Sequence, residues 1–123
     1  MAAVNRVAPT LTSPVGENFI RRGQATEAIE EGQAVAIDGD PTSPRFEAAY
    51  SLAATEASAV GLALKPAAAG DVVEVLIMGL MGGYDGLSAG DVLTVVGGEL
   101  DDTAGNSRFL AYNSTTVLVG FHF

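Results

Sequence analysis

Ala69-Gly70-Asp71-Val72-Val73-Glu74-Val75 is the stretch on which the reading of this chain turns. Glycine tolerates the positive φ of a tight turn, and the aspartate after it can hydrogen-bond the turning backbone. β-branched residues then follow in alternation, the signature of a strand with one face buried. The same phrase stands at Glu31-Gly32-Gln33-Ala34-Val35-Ala36-Ile37 and at Ala89-Gly90-Asp91-Val92-Leu93-Thr94-Val95. Its spacings are unequal, so it is a turn device used three times and not a solenoid repeat.

Val73, Val75 and Ile77 fall on one strand face with Glu74 opposite. Val60-Gly61-Leu62-Ala63-Leu64 reads as a strand ended by Lys65-Pro66, and Arg108 to Tyr112 as another after the polar turn Asp101 to Ser107. Near the C-terminal end Val117, Val119, Phe121 and Phe123 share a face, with Leu118, Gly120 and His122 on the other. The pairs Gly82-Gly83 and Gly97-Gly98 read as hairpin turns. Phe46 to Ala59 has alanines that permit a helix but no clear apolar face, and is read as strand and loop. Fifteen glycines and closely spaced turns then predict an all-β fold, a small β-barrel or sandwich of short strands with little or no helix.

Residues 1–24 read differently. Pro9 and Pro14 fix φ, and Thr10, Thr12 and Ser13 favour turns, yet Val4, Val7, Leu11, Val15, Phe19 and Ile20 are more apolar than a solvated tail needs. The expected organisation is an extended N-terminal arm over 1–24 and a β-barrel domain over 25–123. An ordinary edge strand plus loop is the other reading of the arm.

The formal charge is −9, with six Lys and Arg against fifteen Asp and Glu. So acidic a chain is not expected to bind nucleic acid directly, because phosphate tracking needs clustered bases. The charge is also polarised. Before Gly23 stand Arg6, Arg21 and Arg22 with one acid, Glu17; after it, three bases face fourteen acids. The chain has no cysteine, which excludes disulfides and thiolate metal sites. No secretory signal is read at Met1 to Thr10, and the longest apolar run, Val75 to Met81, is too short to span a membrane as a helix. No membrane association is expected.

The residue inventory offers little chemistry. His122 is the one histidine and lies between two phenylalanines, a poor setting for a base that must be oriented by a carboxylate beside a nucleophile. Asp38-Gly39-Asp40 and Asp101-Asp102 are the candidate carboxylate cation sites, without the ordered spacing of a calcium loop. Gly79, Gly82, Gly83 and Gly86 are not followed by a phosphate-binding lysine, and Asn113-Ser114-Thr115 reads as a polar turn. Lys65 precedes proline, which argues against a lipoyl- or biotinyl-type carrier hairpin. No catalytic residue, metal or cofactor is expected, and the chain reads as a non-enzyme.

The run Val60 to Leu64, then Ala67-Ala68-Ala69-Gly70-Asp71, Val72-Val73-Glu74-Val75 and Gly79, resembles the small β-barrel decoration, or capsid cement, proteins of tailed bacteriophages and prophages. The later opener Ser88-Ala89-Gly90-Asp91-Val92, the earlier Glu31 to Ile37 and the closing Val119-Gly120 fit the same pattern. The resemblance covers about residues 27–121. It implies a structural virion protein on the capsid exterior, commonly a homotrimer, that binds the major capsid protein and stabilises the expanded head. A tail or head-fibre component or an adhesin domain is the alternative. Arg6, Phe19, Ile20, Arg21 and Arg22 are the expected capsid contacts, on an arm whose deletion should abolish docking and leave the barrel folded.

Overall fold

The computed structural model describes residues 3–13, 17–103, 105 and 108–120. It is nearly all β, as expected, with a closed five-stranded barrel and further strands outside it. The only helical element among the described residues is the 3-10 turn Glu56–Ser58. The strands are β1 Asn5–Leu11, β2 Phe19–Ala25, β3 Ala34–Ile37, β4 Ala49–Leu52, β5 Ala59–Ala63, β6 Val72–Asp85, β7 Val92–Val96, β8 Glu99–Asp101, β9 Phe109–Ala111 and β10 Val117–Val119.

One long strand organises the rest. The first half of β6 pairs with β2 from Phe19↔Met78 to Gln24↔Val72 and with β5 at Leu62↔Leu76. The order β2-β4-β3-β5-β6 then closes on itself through the β2–β6 pairing, which makes the barrel. The second half of β6 pairs with β1 on one edge and β10 on the other, and β9, β7 and β8 continue that sheet. Its margins meet where Ala3 bridges Asp101 and the Val4 N–H donates to the Leu100 carbonyl at 2.7 Å. Gly79, at φ 143°, sits where β6 passes from one half to the other.

Two cores follow from this division. Ala25, Ile29, Val35, Tyr50, Ala63, Val73 and Val75 fill the barrel. Met81, Tyr84, Leu93, Leu100, Phe109, Val117 and Val119 pack in the second, against Ala34, Ala36, Leu62 and Leu76 on the barrel's outer wall. Strand β3 is thus buried on both faces, Val35 inward and Ala34 and Ala36 outward, which explains its unbroken apolar run.

The recurrent phrase is one turn built three times. Gln33, Asp71 and Asp91 donate their N–H to the carbonyls of Glu30, Ala68 and Ser88 at 3.2, 3.0 and 3.0 Å. The glycine before each, Gly32, Gly70 or Gly90, takes φ of 80, 89 or 89°. This is the type II arrangement, with glycine where a Cβ is disfavoured. Gly97 and Gly98, at φ 56° and 85°, form the two-residue hairpin between β7 and β8, as their sequence implies.

Gly82-Gly83 is not the hairpin its sequence suggests. Both residues lie inside β6, where β1 crosses closely enough that a Cβ on Gly83 would sit 2.0 Å from the Ala8 carbonyl oxygen. The N-terminal residues pair within the fold. Residues 5–11 and 19–25 are strands of the molecule's own sheets, paired to β6 along its length, with Val7, Phe19 and Ile20 left exposed. Pro14, Val15, Phe121, His122 and Phe123 lie outside the described residues.

A polar clasp fastens β1 to the barrel. Arg6 Nε and Nη2 donate to the two carboxylate oxygens of Glu99 at 2.8 and 3.2 Å, and Nη1 donates to the Glu31 carbonyl at 3.0 Å. Gln33 Nε2 donates to Glu99 Oε2 at 2.7 Å, and the buried Tyr84 hydroxyl donates to the Gly32 carbonyl at 2.8 Å. Burial pushes the Tyr84 hydroxyl far above the ordinary phenol range. Burial also raises the Glu99 carboxyl, but the hydrogen bonds from Arg6 and Gln33 outweigh it and hold the group below its usual value. The Arg6 guanidinium is raised, first by its hydrogen bond to Glu99.

These shifts set a pH dependence. A carboxyl held below its unfolded value stabilises the fold above that value, and the contribution is lost as pH falls through the folded pKa. Melting temperature should therefore decline as pH drops below about 4.5, the ordinary value for Glu99. Glu99→Gln should lower stability at neutral pH and flatten that acid limb; equal acid slopes in both proteins would refute the assignment. Tyr84→Phe removes the donor to a buried carbonyl, and should cost about 1–3 kcal/mol in denaturant unfolding. An unchanged midpoint would show that Gly32 has another partner.

Candidate docking surface

The barrel is open at one end, and each of its five strands contributes a residue there. Phe19 and Arg21 come from β2, Ile37 from β3, Tyr50 from β4, Val60 from β5 and Ile77 from β6. Ile37 and Ile77 are the next members of the alternations that put Val35 and Val75 in the barrel core, so the mouth continues that core into solvent. Its cavity measures about 400 Å³. Tyr50 forms the floor, its ring lying where a Cβ on Gly23 would come within 2.4 Å, and burial raises its hydroxyl pKa. At the rim Phe19 is 45% and Ile37 62% exposed.

Arginines surround this apolar mouth. Arg21, Arg22 and Arg108 line it together with Glu47, and Arg22 and Glu47 are shared with an adjoining depression lined also by Arg45, Phe46 and Val72. Four of the chain's five arginines therefore face one region of an otherwise acidic molecule. Two are held by stacking: the Arg21 guanidinium lies 4.8 Å from the Phe19 ring centroid, and that of Arg45 lies 5.2 Å from the Phe46 ring. Such stacking fixes the guanidinium plane and leaves its edge, which carries the N–H donors, for a carboxylate. Arg22 Nε is 3.4 Å from Glu74 Oε2, in a pair whose arginine is exposed and whose glutamate is half-buried, a contact of small energy that a ligand can replace. Arg108 donates to the Ala59 carbonyl, which anchors it beside Val60.

Of the five expected contact residues, the structure brings Phe19, Arg21 and Arg22 together at the mouth. Ile20 is exposed on the same strand but does not line the cavity. Arg6 does not belong to this surface. It is committed to Glu99 and Glu31 within the clasp, and only 19% of its side chain is exposed. Sequence reading missed Ile37, Val60, Ile77 and Arg108 as parts of one site, because four distant strands and loops meet there only after the barrel closes.

The candidate cation sites are used otherwise. Asp101 Oδ1 accepts from the Thr103 N–H and hydroxyl at 3.0 and 2.6 Å, hydrogen bonds that lower its pKa. Asp38 accepts from the Thr26 hydroxyl at 3.1 Å. Among the described residues no group of three or more His, Cys, Asp or Glu is placed to hold a metal ion. Asn113 Oδ1 accepts from the Thr115 N–H at 2.9 Å, so Asn113-Ser114-Thr115 is the polar turn expected. No described helix is long and apolar enough to cross a membrane. No family model, no curated protein and no solved structure matches the chain.

Proposed function

We propose that this protein decorates the exterior of a bacteriophage head, binding the major capsid protein through the barrel mouth and stabilising the expanded lattice. The observation that carries the reading is the exposed apolar mouth lined by three arginines, with a fourth in the adjoining depression, on an acidic protein. Contiguous exposed apolar residues with a polar rim mark an interaction surface, and arginine and aromatic residues are the types that dominate binding energy at such surfaces. The decoration role itself comes from the turn-and-strand phrases of the sequence.

The physics of the role is simple. A protein that binds only the expanded lattice stabilises it by mass action. As a homotrimer it engages three capsid sites together, so each mouth needs only modest affinity. The acidic remainder of the surface then faces solvent and keeps decorated particles apart by repulsion. No catalytic step belongs to this role.

Co-sedimentation tests it. Expanded heads should carry the protein into the pellet at saturable stoichiometry, and unexpanded heads should not. The bound fraction should fall between 50 mM and 500 mM salt, because the arginine rim contributes charge pairing. Protein left in the supernatant with expanded heads would overturn the decoration role, and recovery along tails instead would make it a tail module.

A further inference from the structure

We infer that the docking surface takes an extended, acidic segment of its partner as an added strand along β2, with apolar side chains entering the barrel mouth. The inference rests on the docking reading above and names what the site recognises.

The first ground is backbone. Strand β2 pairs with β6 along one edge from Phe19 to Gln24. Along its other edge, pairing with β4 involves only Gln24↔Ala49 and Ala25↔Tyr50. From Phe19 to Arg22 no described strand lies against that edge. Most of this stretch is exposed, and it borders the mouth. An unpaired strand edge is a template for a further strand, and peptide recognition by edge addition uses such a template.

The second ground is side chains. A bound strand sends alternate residues to opposite faces. Beside β2, one set meets the apolar wall of Ile37, Val60 and Ile77. Carboxylates in the segment meet Arg21, Arg22 and Arg45, whose guanidiniums match a carboxylate with two parallel hydrogen bonds. A small anionic ligand would use the arginines and the wall but not the β2 backbone. The free edge is what favours a polypeptide.

The test uses the full chain, ¹⁵N-labelled, and a ten-residue peptide alternating glutamate with valine, with a lysine–valine peptide as control. The acidic peptide should shift the amides of Phe19 to Arg22 and slow the exchange of those whose N–H groups are not already bonded to β6. The lysine peptide should leave them unchanged. Arg21→Gln with Arg22→Gln should weaken acidic-peptide binding more than about tenfold, with a melting temperature near that of the parent because both side chains are exposed and no like charge is set against Glu74. Amide shifts away from β2, equal binding of both peptides, or full binding by the double variant would each overturn the inference. Heads separate the two levels. Equal co-sedimentation of parent and double variant would leave decoration standing and remove the strand-addition surface. Peptide mapping to β2 with heads left bare would keep the surface and remove the capsid as its partner.

Discussion

Deleting residues 1–24 should leave a chain that does not fold cooperatively. Strand β1 covers one edge of the second half of β6, from Asn5↔Asp85 to Leu11↔Met81. Strand β2 covers the same strand's first half and closes the barrel. Truncation therefore opens the barrel, exposes the buried Val73, Val75, Met81 and Tyr84, and strips Glu99 of Arg6. The loss of two strands with their pairing and apolar burial exceeds the 5–15 kcal/mol by which domains are typically stable. Circular dichroism should show no sigmoidal melt, and hydrogen exchange no protected core. A truncated protein with a melting temperature near that of the full chain would show that the first strands are an appendage. Loss of head binding on truncation is thus no evidence for an arm-borne docking site, and point variants at the mouth are needed instead.

Gly83→Val should be the most damaging single substitution among the glycines of β6. Gly83 has φ of 90°, a conformation that a side-chain-bearing residue adopts only at a cost of about 1–3 kcal/mol. The added Cβ would also stand 2.0 Å from the Ala8 carbonyl oxygen and 2.7 Å from the Pro9 nitrogen. Those are backbone atoms, which can retreat only by moving β1 off β6, with the Arg6↔Tyr84 and Thr10↔Gly82 pairings on either side. Strain and displacement together should cost about 4 kcal/mol or more, a fall of roughly 15 °C in melting temperature. Gly86→Ala separates the two causes. Gly86 has φ of 77° but nothing within 4 Å of its added Cβ, so it should lose only the backbone term, about 1–3 kcal/mol. Equal losses in the two variants would mean that the crossing of β1 over β6 is not close.

The comparison of these two glycines shows where sequence reading succeeds and where it stops. Gly32, Gly70, Gly90 and the pair Gly97-Gly98 were legible because each turn is local: the glycine, the residue after it and the strand that follows lie within a few positions. Gly82-Gly83 has the same composition as a hairpin turn, but its meaning is close approach to Ala8 and Thr12, far away in the chain. The strands were legible wherever alternation had a buried face, as at Val73 and Val75 or Val117 and Val119. That β6 runs through Gly79 and serves two cores was not, since glycines inside a strand carry no alternation. Proline and small polar residues made 1–24 look like an arm, while long-range pairing to β6 overrides their weak local preference.

The site was legible in part for the same reason. Phe19, Arg21 and Arg22 are neighbours in sequence, and an aromatic beside two arginines stands out on an acidic chain. Arg45 and Arg108 join them only through the closed topology, and Ile37 and Ile77 look like ordinary core residues until the barrel's open end exposes them. Arg6 shows the converse case. Its charge suggested a partner outside the molecule, and Glu99 supplies one inside.

The most direct test of the central claim is electron cryo-microscopy of expanded, undecorated heads mixed with the purified protein. The expected map has trimeric density at regular lattice positions, each barrel with its mouth and arginine rim turned toward the capsid and its acidic surface outward. Bare heads, or bound barrels whose mouths face solvent, would contradict it.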